Sequence, residues 1–334
     1  MSNFEKISKA LSAVAYINLV EDRCKILDKN PNSTAIKNII SATILYKIFN
    51  FFRNKSKTKS NLPNQNKSTI SDYFLRQDIK KIGWVLEKKT NGDKDSIMTC
   101  ETNNNKLIIV HCYYYDLLED ILNILDDYKE YDIVFTTSNN DIYQRLCSEG
   151  KINIMNILLP NKGRDVFPFT YVISHINLNK YKYFIKLHSK KSKHLKGQGL
   201  IWGYKNLNML VGNKKHTETI LSLINEDIPT LIGTDLLPMH DHYANNKHWL
   251  NYLTKGACLN NHLFIPGTMF IGNIQALKII EKESLWLGDY EEEMGQLDGC
   301  LAHALERYMC YVVEENKGYV AKTRNILEKY ISSL

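Results

Sequence analysis

The stretch KLIIVHC at 106–112 is a continuous apolar run of strand length, and it opens the most regular part of the sequence. Three runs of the same kind follow: YDIVFTT at 131–137, INIMNILL at 152–159 and YKYFIKL at 181–187. Segments with helical spacing separate them, at 117–125, 141–147 and 167–176. Strands that are apolar on both faces and alternate with helices are typical of a parallel sheet covered by helices. The sequence therefore predicts an α/β fold with a mostly parallel, Rossmann-type sheet.

Ligands of such sheets bind at the carboxyl ends of the strands. The candidate positions are those directly after each run: His111, Thr136 to Asn139, Asn161 to Asp165, and His188 to Lys193. No GxGxxG, GxxxxGK[ST] or GxSxG pattern occurs in the sequence. The strongest signals for a dinucleotide fold, a P-loop NTPase and an α/β-hydrolase are therefore missing.

Composition narrows the class of protein. The 334 residues are 44% hydrophobic and 24% charged, which excludes a disordered, collagen-like or low-complexity chain, and the net charge of +7 does not by itself imply nucleic acid. Seven cysteines without a CxxC pair argue against a disulfide framework and a zinc ribbon, and for a reducing cytoplasm. The N-terminus mixes charges among its apolar positions, unlike a signal peptide. No uncharged apolar run reaches the length of about 18 residues that predicts a membrane span.

Residues 1–60 predict an N-terminal helical extension. An amphipathic helix over 1–28 is followed by a second helix over 36–52, and a basic flank follows it with Arg53, Lys55, Lys57 and Lys59. Two interpretations of 36–59 stay open: it lies on an anionic membrane surface, or it packs on its own domain or on a partner subunit, as in a homodimer. Residues 61–105 are polar and predict a linker and variable region, and 106–334 hold the α/β domain.

Charge is unevenly distributed along the chain. Between 166 and 217 there are ten lysines and no acid, whereas between 283 and 306 there are seven acids and no Lys or Arg. The cationic segment centres on KLHSKKSKH at 186–194, whose ammonium and hydroxyl groups suit a diphosphate. Its residues 188–193 (HSKKSK), after the fourth strand, are called the lysine loop. A solvated lysine-rich loop is the alternative. Arg164 suits a phosphate, and Asp165 either accepts from a ribose hydroxyl or fixes Arg164 within a turn.

Asp298 stands just before an apolar helical segment, LAHALER at 301–307. A carboxylate there serves as a general base if it faces the lysine loop, or as the N-cap of the helix. His303 and Glu306 lie one turn apart on the same segment, where either is also readily a buried structural group. We expect no metal, because two weak patterns match no firm ligand spacing: His240-Asp241-His242 and Asp93-x-Asp95.

Four stretches, in this order, resemble the rhamnan synthesis protein F family: NKGRDVFPF at 161–169, KLHSKKS at 186–192, GTMF at 267–270 and DGCLAHALER at 298–307. The family consists of bacterial glycosyltransferase-like proteins of cell-surface polysaccharide synthesis. The resemblance covers roughly residues 105–315 and leaves the N-terminal hundred residues uncovered. It implies a GT-A-like glycosyltransferase domain over 106–334, a nucleoside-diphosphate sugar of UDP or dTDP as donor, and a lipid-linked glycan as acceptor.

The resemblance also implies roles for individual residues. GT-A enzymes usually carry Asp-x-Asp after the strand that is here YKYFIKL, and this sequence has the lysine loop instead. Cationic side chains then replace a divalent ion beside the departing diphosphate, so no cofactor is expected. The implied diphosphate ligands are Arg164, His188, Lys190, Lys191 and Ser192, and the implied nucleoside contacts are His111, Tyr113, Thr136, Thr137 and Asp165.

On the same analogy, Asp298 deprotonates the acceptor hydroxyl, His303 is the second candidate catalytic residue, and the acceptor lies along Gly267, Thr268 and Met269. The expected reaction is an inverting, metal-independent transfer of rhamnose, or of a furanose such as galactofuranose, to an O-antigen, capsule or rhamnan. The expected location is peripheral, on the cytoplasmic face of the bacterial inner membrane, with no nucleic-acid partner. Two alternatives stay open: transfer of a sugar phosphate on the same fold, and a non-catalytic module that binds anionic glycans or nucleic acid.

Overall fold

The computed structural model describes residues 3–29, 84–88, 96–151, 153–191, 198–282 and 289–333. The predicted helix over 36–52, its basic flank and Ser192 lie outside these ranges. In chain order, the strands are Trp84–Lys88 (β1), Ser96–Cys100 (β2), Lys106–His111 (β3), Asp132–Thr137 (β4), Ile154–Leu158 (β5), Tyr183–His188 (β6), Thr230–Gly233 (β7), Leu237–Pro238 (β8), Leu263–Phe264 (β9), Phe270–Asn273 (β10) and Tyr319–Lys322 (β11).

The helices lie between and beyond these strands. In chain order, they are Asn3–Lys29 (α1), Leu118–Leu125 (α2), Asn140–Cys147 (α3), Val166–His175 (α4), Gln198–Val211 (α5), Lys214–Ser222 (α6), Tyr243–Thr254 (α7), Ile274–Lys282 (α8), Leu301–Glu315 (α9) and Thr323–Ser332 (α10). None of them is both long enough and apolar enough to cross a membrane.

The predicted α/β fold is confirmed. Seven strands form one sheet in the order β5-β4-β3-β6-β10-β7-β11. β10 is antiparallel to both of its neighbours, and the other pairs are parallel. The run FIPGTMFI at 264–271 predicts a strand with a tight bend at Pro266 and Gly267. In the structure this strand is divided, because β9 ends before the bend and β10 begins after it. The sheet is therefore mostly parallel, with one reversed strand beside β6.

Both faces of this sheet are buried, as its continuous apolar runs predict. Along β3, Leu107 and Ile109 belong to one hydrophobic cluster and Ile108 and Val110 to another, because successive side chains of a strand point to opposite faces. The first cluster continues into α4, α8 and α9, and the second into α2, α3, α5 and α6. The sheet is thus the middle layer of three.

The N-terminal helix packs on the α/β domain. Ala13, Ile17 and Val20 of α1 lie on one face of the helix, at spacings of three and four residues, and join side chains of α5 and α10 in a third hydrophobic cluster. The Arg324 guanidinium of α10 binds the Glu21 carboxylate of α1 over 2.7 Å. This helix therefore buries its apolar face on the rest of the chain.

Two small sheets lie beside the main one. β1 pairs with β2 and β8 pairs with β9, both antiparallel. β1 and β2 fall within 61–105, so the segment that the sequence describes as a polar linker and variable region contains a hairpin. The proposed domain boundaries stay a prediction.

The strand order indicates where a ligand of this sheet is expected to bind. The chain moves outward from β3 to β4 and β5, returns through α4 to the other side of β3, and continues as β6. Connections that diverge from two neighbouring strands leave a crevice at the carboxyl ends of those strands. His111 and His188, the last residues of β3 and β6, are register partners at this crevice. The lysine loop begins directly after it.

Candidate functional site

A buried ion pair joins two of the four motifs at the carboxyl end of β6. The Lys186 ammonium lies 2.5 Å from an Asp165 carboxylate oxygen and 2.8 Å from the Thr268 carbonyl oxygen. Lys186 is 1% exposed, and the Phe169 and Phe270 rings lie 5.2 and 5.8 Å from its ammonium. Asp165 is a predicted nucleoside contact, and in this structure its carboxylate is held by Lys186.

Burial and mutual attraction determine the charges of this pair. Burial raises the pKa of Asp165, but the adjoining His188 and Lys186 outweigh it and hold that pKa well below its usual range. Burial lowers the pKa of Lys186, and the Asp165 carboxylate opposes the shift. Burial also lowers the pKa of His188 to about 3, so its imidazole is neutral at neutral pH. One carboxylate and one ammonium therefore balance each other inside the protein.

The turn at Gly267 and Thr268 is strained and is held from three sides. The backbone of both residues adopts the left-handed conformation, with φ of 83° at Gly267 and 49° at Thr268. This conformation is an outlier for a β-branched residue such as threonine. The His188 Nε2 donates to the Gly267 carbonyl over 2.8 Å. The Thr268 hydroxyl donates to Asp165, and the Gly267 N–H donates to the Glu306 carboxylate. Strain that the surrounding structure fixes in this way is typical of functional sites.

Asp298 faces this crevice from the residues just before α9. The Asn246 amide donates to the Asp298 Oδ1 over 3.0 Å, and Arg307 and His303 lie 3.6 and 3.7 Å from the same oxygen. The Asn245 amide makes a long contact of 3.5 Å with the other oxygen, and the Gly299 N–H also donates to the carboxylate. The side chain is 25% exposed. Protein groups therefore orient Asp298 and leave about a quarter of its side chain exposed.

Asp298 is not the N-cap of α9, which was the structural alternative for it. The helix begins at Leu301, whose N–H donates to the Glu291 carboxylate over 3.0 Å. Burial raises the pKa of Asp298, but the Asn246 amide and Arg307 outweigh it and lower that pKa. Burial, and next the Arg164 charge, lower the pKa of His303 to about 4. Asp298 is therefore ionised at neutral pH, beside a neutral His303.

The lysines at this end of the sheet differ in their partners. Lys186 is bound to Asp165, and Lys191 forms a salt bridge with Asp116. The Lys190 ammonium lies 4.1 Å from the centroid of the Trp202 ring, and among the described residues no carboxylate or hydrogen-bond acceptor binds it. Its charge interacts at longer range with Glu306 and Asp165. Of the three lysines that the structure describes here, Lys190 is therefore the one whose ammonium binds no acceptor in the described ranges, which leaves its donors for an anion.

The other predicted diphosphate ligands are engaged by the protein. The Arg164 N–H donates to Glu293 over 3.1 Å, and the Arg164 guanidinium donates to the Gln296 carbonyl oxygen and lies 3.7 Å from Glu293. Both partners belong to the acidic loop, residues 289–300. His188 is buried against the turn at Gly267. An anion that binds Arg164 would therefore compete with Glu293 and the Gln296 carbonyl oxygen for its N–H donors.

The predicted nucleoside contacts differ in accessibility. His111 Nδ1 lies 3.0 Å from the Thr136 hydroxyl, and burial lowers the pKa of His111 to about 4. Thr136 and Thr137 are fully buried, and the Thr137 hydroxyl accepts the Asn139 N–H over 3.0 Å. Tyr113 is 43% exposed at the rim of the crevice. Of this group, Tyr113 offers the free surface that a nucleoside needs.

Met269, the third residue predicted to line the acceptor site, is 1% exposed and packs in the second hydrophobic cluster. Sequence patterns assign no role to Trp202 and no ion pair to Lys186, although both lie at the centre of the site. Glu306 is the buried structural group that the sequence allows, since it accepts the Gly267 N–H. The signal for Lys186 was available: a lysine inside the apolar run YKYFIKL needs a buried counterion. Nothing in the sequence indicates that Trp202 reaches Lys190.

Within the described ranges, His, Cys, Asp and Glu side chains form no group of three or more arranged to hold a metal ion. His240 and Asp241 form a local pair 2.8 Å apart, and Asp93 and Asp95 lie outside these ranges. Metal independence stays a prediction.

Comparison with known proteins identifies relatives. The "uncharacterized protein WxcX" of Xanthomonas campestris pv. campestris, from two strains, is 28% identical over 211 residues. The aligned part covers 60% of this chain and 30% of that protein, so the chain spans less than a third of the relative's length. No solved structure matches the chain.

The family model described as rhamnan synthesis protein F matches residues 5–318. This range contains all four motifs that meet at the crevice. It also corrects the expectation that the N-terminal hundred residues fall outside the resemblance, because the match begins within α1. The match spans nearly the whole chain, and the protein therefore belongs to the rhamnan synthesis protein F family, a family of polysaccharide synthesis.

Proposed function

We propose that this protein is a GT-A-like glycosyltransferase that moves a sugar from a nucleoside diphosphate to a growing cell-surface polysaccharide. The sugar is rhamnose or a furanose such as galactofuranose, and the nucleotide is UDP or dTDP. The observation that carries the proposal is Lys190, whose ammonium binds no carboxylate among the described residues and lies at the crevice where β3 and β6 end. Family membership supports the polysaccharide product.

In this proposal the diphosphate of the donor lies against Lys190. An ammonium that supplies free N–H donors beside the leaving group stabilises the negative charge that develops there. Arg164, at the edge of the same crevice, contributes a second cation when it exchanges the acidic loop for a phosphate. Lys190 thereby takes the place that a divalent ion has in related chemistry, which makes transfer independent of metal.

Asp298 is the general base of the proposed reaction. It removes the proton from the acceptor hydroxyl as that oxygen attacks the anomeric carbon. The bond between this carbon and the diphosphate oxygen breaks, and its electron pair leaves with the diphosphate. Attack on the face opposite to the leaving group inverts the configuration. An ionised carboxylate that is oriented by the Asn246 amide and is 25% exposed suits this role.

The acceptor in this proposal is a lipid-linked glycan whose attacking hydroxyl lies beside Asp298. Gly267 and Thr268, which the sequence assigns to the acceptor site, are buried and offer the glycan no surface. The segment 36–59, which lies outside the described residues, would bring the enzyme to the cytoplasmic face of the inner membrane, where such acceptors are anchored. A homodimer formed through the same segment is the alternative role for it.

Calorimetric titration with UDP and with dTDP, first in EDTA and then with Mg²⁺ or Mn²⁺, tests the diphosphate site. We expect one nucleotide to bind in EDTA, and Lys190→Ala to weaken it by about 10–100-fold, because a charge-assisted hydrogen bond contributes about 1.5–3 kcal/mol. Lys191→Ala is the matched comparison, with an expected loss of less than about threefold, because Asp116 already binds that lysine. Binding that requires metal, or equal losses in both variants, would contradict the proposal.

The pH dependence of transfer tests the state of His303. Protonation of this imidazole places a positive charge 3.7 Å from Asp298 and weakens the base. Since its pKa is lowered to about 4, we expect kcat/KM to stay level as the pH falls to about 5 and to decrease near pH 4. An exposed histidine would instead produce a decrease near pH 6.5. An inflection there that disappears in His303→Gln would contradict this assignment.

A further inference from the structure

Lys190 has an aromatic partner where its neighbours have carboxylates. Lys186 and Lys191 each form an ion pair, whereas the Lys190 ammonium lies 4.1 Å from the centre of the Trp202 ring. Lys191 also lies 5.0 Å from the Tyr114 ring, but Asp116 binds it as well. The cation–π contact of Lys190 is therefore the closer of the two, and no ion pair with another described residue supplements it.

Two glycines make room for this contact. A Cβ atom on Gly203 would lie 2.8 Å from the Lys190 carbonyl oxygen, so α5 approaches the lysine loop closely only because this residue has no side chain. A Cβ atom on Gly267 would lie 3.1 Å from Trp202 Cζ2. The indole is thus enclosed between the strained turn and the lysine. The close backbone approaches at Gly203 and Gly267 therefore fix the position of the Trp202 indole.

We propose that Trp202 is a positioning residue that holds Lys190 charged and oriented for the diphosphate. This inference rests on the proposed function of the same site. A carboxylate partner would balance the positive charge of the ammonium and occupy its N–H donors, as Asp116 does for Lys191. The face of an indole attracts the ammonium through the ring quadrupole and accepts no conventional hydrogen bond. The donors of Lys190 therefore stay available for phosphate oxygens.

Other groups near Lys190 affect its charge. Burial lowers the pKa of Lys190, Glu306 and Asp165 oppose the shift, and Lys186 and Arg164 add to it. Trp202 acts in the same direction as the two acids, because its ring favours the ammonium form. If the ring is removed and the charged groups are unchanged, the Lys190 ammonium loses its proton at a lower pH than in the wild-type protein. Anion binding should then be lost at a lower pH.

Titration of the full-length protein with inorganic pyrophosphate in EDTA, over a range of pH, tests this inference. We expect Trp202→Leu to weaken binding about tenfold at neutral pH and Trp202→Phe about threefold, because phenylalanine retains a weaker π face. As the pH is raised, binding is lost with a midpoint pH that we expect to be lower in Trp202→Leu than in the wild type. The decrease of this midpoint is smaller in Trp202→Phe. Tyr114→Leu is the matched control, with an expected change of less than about twofold and the wild-type midpoint.

The outcomes separate this inference from the proposed function. If the wild-type protein binds no pyrophosphate, or if Lys190→Ala binds it as the wild type does, the diphosphate site itself is wrong. If Lys190→Ala loses binding but Trp202→Leu and Trp202→Phe keep the wild-type affinity and midpoint, only the role of Trp202 is overturned. A loss that is equal at every pH would show a structural role and would also overturn it. If Trp202→Leu fails to fold, Trp202→Phe decides between these results.

Discussion

Asp298→Asn is expected to lower the rate of sugar transfer about a thousandfold and to leave nucleotide affinity within about threefold. The amide has nearly the same shape as the carboxylate, so Asn246 and Arg307 keep a partner of the same size. It cannot accept the proton of the acceptor hydroxyl, and the reaction then depends on water as the base. Single-turnover measurement of transfer, with calorimetric titration of UDP or dTDP on the same sample, gives both quantities.

The matched control for this variant is Asp126→Asn. Asp126 is also ion-paired, 3.1 Å from Lys151, but it lies near the amino ends of β4 and β5, away from the crevice. Its substitution should leave turnover within about twofold. If Asp298→Asn retained more than a tenth of the wild-type turnover, the base would lie elsewhere, and the assignment of Asp298 would be wrong.

Lys186→Met is expected to lower the free energy of unfolding by about 3–5 kcal/mol. The methionine fills a similar volume between Phe169 and Phe270, but Asp165 is left as a buried carboxylate beside His188, which is 3.8 Å away and neutral at neutral pH. The strained turn at Thr268 also loses the ammonium that binds its carbonyl group. Urea denaturation followed by circular dichroism measures the loss.

A double variant shows whether the cost arises from the unpaired charge. Asp165→Asn combined with Lys186→Met removes both charges, and we expect it to be more stable than Lys186→Met alone. Lys151→Met is the exposed control: its ammonium is paired with Asp126, the two side chains are 41% and 59% exposed, and we expect a loss below about 1 kcal/mol. A double variant less stable than Lys186→Met would refute the buried-charge explanation.

The central strands of the fold were predictable because of how they are buried. β3 and β6 are covered on both faces, so their sequences are short apolar runs that stand out from the polar segments between them. β10 has the same character, but an apolar run carries no information about its partners. Its antiparallel insertion between β6 and β7 therefore came only from the structure. The hairpin of β1 and β2 lies among polar residues and has no comparable signal.

The sequence motifs predict which segments meet at the site, but they do not predict which contacts each residue makes there. Motif order placed Arg164, Lys190, Gly267 and Asp298 in one region, and the structure brings all four to the crevice. Charge pairing between distant segments is invisible in a sequence. The ion pair of Lys191 with Asp116 and the contact of Lys190 with Trp202 therefore appear only in three dimensions.

The most direct test of the central claim is the identity of the nucleotide released during turnover. The protein is incubated with UDP- and dTDP-sugars and with lipid-linked glycans extracted from the cells that produce it, and the products are separated by chromatography and mass spectrometry. Glycosyl transfer breaks the bond between the anomeric carbon and the diphosphate, so we expect a nucleoside diphosphate and a glycan extended through a glycosidic bond. Release of a nucleoside monophosphate with a phosphodiester-linked product would contradict the account and show transfer of a sugar phosphate.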